Sequence, residues 1–67
     1  MKRFSVGQKW LNKDAMYGRF FAEVTETSDQ GRRGTVVITD GRGNVLDTYN
    51  DSASTFLAAG KWQLIEA

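Results

Sequence analysis

The chain has 67 residues, no Cys, no His, an apolar share of 40% and a formal net charge of +1. That inventory excludes disulfide stapling, thiol chemistry and His–Cys zinc sites. It describes one domain, residues 1–67, near the lower size limit for independent folding, where only about 60% of the unfolded surface becomes buried. The charge is uneven: residues 1–33 carry +3 and residues 34–67 carry −2, so one half could offer a mildly basic face to an anionic partner. Lys2 and Arg3 are not followed by the apolar run that export requires. No stretch approaches the roughly 20 apolar residues of a membrane span. The expectation is a soluble, cytoplasmic protein with no membrane partner, which the absence of Cys also fits.

In chain order, Phe4 to Leu11 reads as a first strand, with Gly7 as a bend or bulge and Trp10 pointing inward. Asn12 to Gly18 has turn chemistry. Arg19 to Thr25 alternates with period two, which sends Phe20, Ala22 and Val24 to the core and Arg19, Phe21, Glu23 and Thr25 outward. Glu26 to Gly34 is a polar loop without hydrophobic anchors.

Thr35 to Tyr49 is the strongest local signal, two β-branched strands around Asp40-Gly41-Arg42-Gly43-Asn44. A three-residue loop, Gly41 to Gly43, puts Gly43 in the left-handed region, where a missing Cβ removes the steric cost. The register that best matches side chains sets Ile38 opposite Leu46 and Val36 opposite Thr48. Setting Ile38 against Asp47 would oppose an aliphatic to a charge. The inner face then takes Val36, Ile38 and Leu46, and the outer face Val37, Val45 and Tyr49. Ser52 or Ser54 can cap a short helix in which Phe56 and Leu57 pack down and which Gly60 ends. Lys61 to Glu66 is a final strand, with Trp62 and Leu64 inward and Ile65 outward or at an edge. Trp10 and Trp62 both read as core, since a core this small needs large side chains.

This order predicts an all-β fold with one short helix, as a small five-stranded antiparallel barrel that removes sheet edges. A helical turn just before the last strand resembles the SH3-like arrangement. An OB-like barrel is the alternative, but its helix would fall between the third and fourth strands, where this chain has a tight turn.

Most catalytic constellations are excluded by inventory: general-base His, nucleophilic Cys and the familiar hydrolase and metalloprotease motifs are all missing, which leaves only a carboxylate pair that the pattern does not force together. No enzyme activity, cofactor or metal is therefore expected. Gly41-Arg42-Gly43 and Gly31-Arg32-Arg33-Gly34 have the outlines of phosphate-binding loops, yet a strand follows each where a helix is required, so glycine serves the turns. Lys9-Trp10-Leu11-Asn12 with Tyr17-Gly18-Arg19-Phe20-Phe21 resembles the opening and first RNA-binding motif of cold-shock domains, which stack bases on strand aromatics. The resemblance covers residues 9–21 only. The second motif is missing, and Arg19 stands where that family has glycine.

The functional expectation is a non-catalytic interaction module that binds a protein partner or itself as a homo-oligomer. Its candidate surface is Tyr17, Arg19, Phe21, Val37, Val45 and Tyr49, with Met16 and Ile65 nearby. By analogy of size and style it would be a phage or mobile-element accessory or inhibitor protein. The alternative is single-stranded nucleic-acid binding through Lys9, Lys13, Arg32 and Arg33, with Arg19 beside them and Tyr17 and Phe21 for stacking.

Overall fold

A computed structural model of the chain describes residues 3–13 and 19–66. Their elements are β1 (Lys9–Asn12), β2 (Phe20–Ser28), a one-turn 3-10 element (Asp29–Gly31), β3 (Arg33–Asp40), β4 (Val45–Ser52), α1 (Ala53–Ala58) and β5 (Trp62–Glu66). The strands form one antiparallel sheet in the order β4-β3-β2-β1-β5. The fold is all-β with a single short helix among the described residues. That helix lies between β4 and β5, as the SH3-like order requires, and the β3–β4 junction is a tight turn, which removes the OB-like alternative.

The expected barrel does not close. β4 and β5 are the two edges of the sheet, and no ladder joins them among the described residues. The reason lies in what fills the concave face. Phe4, Trp10, Ala22, Val24, Val36, Ala53 and Phe56 are buried together. Of these, Phe4 precedes β1 and Ala53 and Phe56 belong to α1. These elements cover one end of the sheet and bury apolar surface that closure would otherwise have buried. The rings meet edge to face, with centroids 5.7 Å apart for Phe4–Trp10, 5.5 Å for Phe4–Phe56 and 5.3 Å for Trp10–Phe56. That geometry matches the positive ring edge to the negative ring face. Phe56 also stacks on Trp62 at 5.1 Å.

The first strand is shorter than its sequence suggests. Phe4 to Gln8 forms a turn, closed by Gln8 N–H donating to the Ser5 carbonyl at 3.1 Å, and the ladder begins at Lys9. Phe4 is instead tied to the β2–β3 turn, its N–H donating to the Gly31 carbonyl at 2.6 Å. Glu26 to Gly34 is not a long loop either. β2 runs to Ser28 and β3 starts at Arg33, with Thr25 as a bulge between the Val24↔Val36 and Glu26↔Thr35 pairs. The hydrophobic anchor missing from this stretch is supplied from outside: the ring of Phe4 fills the space over Gly34, where a Cβ would come within 2.8 Å of Phe4 Cδ2.

β2 presents Ala22 and Val24 to the core and Phe21 and Glu23 outward, as its alternation predicts. The hairpin loop also forms as expected. Gly43 N–H donates to the Asp40 carbonyl at 3.2 Å, Asp40 N–H to the Asn44 carbonyl at 3.0 Å, and Gly43 has φ 87°. Asp40 clamps the loop by accepting from Arg42 N, Asn44 N and Asn44 Nδ2 at 2.8–3.0 Å. These bonds, led by that from the Asn44 side chain, hold its carboxyl below the usual carboxylate range.

The hairpin register, however, departs from the expected one. Thr39 pairs with Val45, but the next pair is Ile38↔Asp47, followed by Val37↔Thr48 and Val36↔Tyr49. Leu46 is an extra, bulged residue. A one-residue slip reverses every side chain beyond it. Tyr49 therefore packs against the core side with Val36, not on the outer face. The aliphatic-to-charge pairing is tolerated because Asp47 lies on the edge strand β4, where its carboxylate stays exposed.

Six residues are too few for a helix to persist by propensity, so α1 depends on its cap and on Phe56. Ser52 Oγ accepts from Thr55 N at 3.1 Å. Ser52→Ala should lower stability by about 1 kcal/mol in chemical denaturation. Ser54→Ala, at an exposed position inside the helix, should change it little; equal losses would show that the cap is misplaced.

Candidate functional site

With one end of the concave face plugged, the other end is open. A cleft of about 330 Å³ lies there, lined by Asn12, Phe20, Ile38, Leu46, Asp47, Tyr49, Lys61 and Trp62. Its size falls at the small end of ligand and side-chain pockets. The register explains its composition. Phe20 and Ile38 continue the core-facing rows of β2 and β3 past the last buried side chain. Trp62 enters from β5 opposite Asn12. The bulge brings Leu46 and Asp47 together beside Ile38, which leaves Leu46 53% exposed.

The two walls differ in charge. On the β4 side Asp47 lines the cleft, and Asp51 lies further along the same strand face as Tyr49. Desolvation, then the charges of Asp51 and Asp47, push the Tyr49 phenol above its usual range. Its hydroxyl, protonated at neutral pH as in any tyrosine, can donate a hydrogen bond. On the β5 side Lys61 Nζ lies 5.8 Å from the centroid of the Trp62 ring, within reach of a cation–π interaction. The arrangement can hold an apolar side chain between aromatic and aliphatic walls with opposite charges at its two rims. Among the described residues, no group of three or more Asp or Glu side chains is placed to hold a metal ion. No helix there is long and apolar enough to cross a membrane.

The residues singled out by sequence are divided by the structure. Phe21, Val37 and Val45 share the convex face, where a direct cross-strand row runs Val45, Thr39, Phe21, Leu11. Tyr49 is on the opposite, concave face. Arg19 is exposed just before β2, and Tyr17 and Met16 lie outside the described residues. Phe21 is half-buried, with Lys9 Nζ 5.0 Å from its ring centroid. The row beside it, Thr48, Val37, Glu23, Lys9, carries charge across the middle of that face. The basic set is also scattered. Lys13 follows β1 next to the start of β2, whereas Arg32 and Arg33 stand past its other end, roughly 25 Å away along nine residues of strand. Arg33 Nε donates to Asn50 Oδ1 at 3.1 Å.

Sequence reading assigns Phe20, Ile38, Leu46 and Trp62 to the core, and so does not mark them as a surface. The signal that separates them is position: Phe20 and Trp62 begin their strands, and Ile38 and Leu46 lie close to the β3–β4 turn. No family model, curated protein or solved structure matches the chain.

Proposed function

We propose that this protein is a non-catalytic interaction module whose concave cleft takes an extended segment of a protein partner, anchored by one large apolar side chain. The observation that carries this reading is the cleft between Phe20, Ile38, Leu46, Tyr49 and Trp62, a concave aromatic surface that the other described residues leave uncovered. Three aromatics and two aliphatics around a pocket with a polar rim are the composition of an interface anchor site. Tyr49 adds a donor for a backbone carbonyl of the bound segment. Asp47 favours a basic residue on the β4 side of the anchor and Lys61 an acidic one on the β5 side. The convex face is the weaker candidate, being crossed by Lys9 and Glu23.

Two substitutions, one on each face, separate them. A peptide selected for binding from a displayed random library should bind Leu46→Glu at least about ten-fold more weakly, since a carboxylate would enter the apolar wall. Phe21→Ser, on the convex face, should leave affinity and fold unchanged. Titration followed by Trp fluorescence measures both. Loss of binding in Phe21→Ser with none in Leu46→Glu would move the site to the convex face.

A further inference from the structure

The open edge of β5, whose Trp62 side chain and neighbouring Lys61 also line the cleft, has a backbone geometry of its own. Lys13 N–H donates to the Lys61 carbonyl at 2.7 Å, in the same register as the Leu11↔Gln63 and Trp10↔Leu64 pairs. In an antiparallel ladder, hydrogen-bonded and non-bonded pairs alternate. Lys61 and Gln63 therefore direct their backbone groups to β1, and Trp62 and Leu64 direct theirs to the open side. Leu64 is 47% exposed and Ile65 44% exposed.

We infer that β5 pairs antiparallel with β5 of a second copy, about a two-fold axis at Gln63. Trp62 then faces Leu64 of the second copy and Leu64 faces its Trp62, each pair exchanging both backbone hydrogen bonds. All four side chains lie on the concave side, so the pairing extends the apolar surface from one sheet to the next. Charge selects the direction. Antiparallel strands bring the Lys61 end of one copy to the Glu66 end of the other, whereas parallel strands would set like against like. The bulge in β5 falls at Ile65, beyond the paired stretch. β4 does not offer the same edge: a two-fold axis at its Tyr49 would oppose Asp47 to Asp51 of the second copy. Joining β4 to β5 would leave free edges and grow a filament. A seam this short buries less than the roughly 1,200 Å² of standard interfaces, so the dimer is weak and concentration-dependent.

Sedimentation equilibrium from micromolar to millimolar protein, with amide hydrogen exchange on the same samples, tests this. The expected result is a monomer–dimer equilibrium in which the Trp62 and Leu64 amides gain protection with concentration while Gln63 is protected throughout. Lys61→Glu should weaken dimerisation about ten-fold, and the double variant K61E/E66K should restore it. A monomer at every concentration, a dimer without protection of Trp62 and Leu64, an unrestored double variant or open-ended polymer would each overturn the inference. None of these results depends on whether the cleft binds a peptide.

Discussion

Phe56→Ala should leave the protein unfolded or barely folded at room temperature. Phe56 is 3% exposed and meets the rings of Phe4, Trp10 and Trp62, so it joins the N-terminal segment, β1, α1 and β5. Truncating a buried Phe costs about 3–5 kcal/mol. A single core in a domain of this size rarely supplies more than about 3–5 kcal/mol in total. The loss therefore matches the whole margin. Leu57→Ala, one residue along the same helix but only half-buried, should cost clearly less and keep a cooperative transition. Urea unfolding monitored by far-UV circular dichroism distinguishes them. A Phe56→Ala variant with a cooperative transition and a loss under about 1 kcal/mol would contradict the assigned core.

How far the sequence announces this structure depends on the residue. Period-two alternation in Phe20-Phe21-Ala22-Glu23-Val24 was enough to orient β2, because each side chain there has an unambiguous preference. The Asp40-to-Asn44 turn was legible for the same kind of reason: Gly43 and Asp40 each do one specific local job. The bulge at Leu46 was not. It inserts one residue without a signature of its own, and the side-chain match of Ile38 with Leu46 points to the unbulged register. Tyr49 followed that error to the wrong face. Closure failed for a different reason: Phe4 and α1 fill the concave face from outside the sheet, a long-range effect that strand patterns do not encode. The cleft was hidden in turn, because its lining residues are the ones a closed barrel would have buried.

Gly31→Ala should be nearly as damaging as the loss of Phe56, although it adds only one methyl group. Gly31 has φ 87°, and a Cβ there would lie 2.6 Å from the Phe4 carbonyl oxygen and 3.3 Å from Arg3 Cβ. The backbone conformation alone costs roughly 1–3 kcal/mol for a residue with a side chain. The clash then pushes away the segment that places Phe4 over the core, along with the Phe4 N–H to Gly31 hydrogen bond. The neighbouring position supplies a control of opposite sign. Gln30 holds φ 58° with an exposed side chain, so Gln30→Gly should be neutral or stabilising by up to about 1 kcal/mol as that strain is relieved. Thermal unfolding of the two variants gives the comparison. A stable Gly31→Ala protein would mean that Phe4 is not held by this turn.

The central claim is that the open end of the concave face, and not the convex face around Phe21, receives the partner. Mapping amide and side-chain NMR shifts as a selected peptide is titrated into the unmodified protein tests it most directly. The largest changes are expected at Phe20, Ile38, Leu46, Tyr49 and the indole of Trp62, with Phe21, Val37 and Thr39 nearly still. Changes centred on Leu11, Phe21, Val37 and Val45, with the Trp62 indole unmoved, would contradict the account.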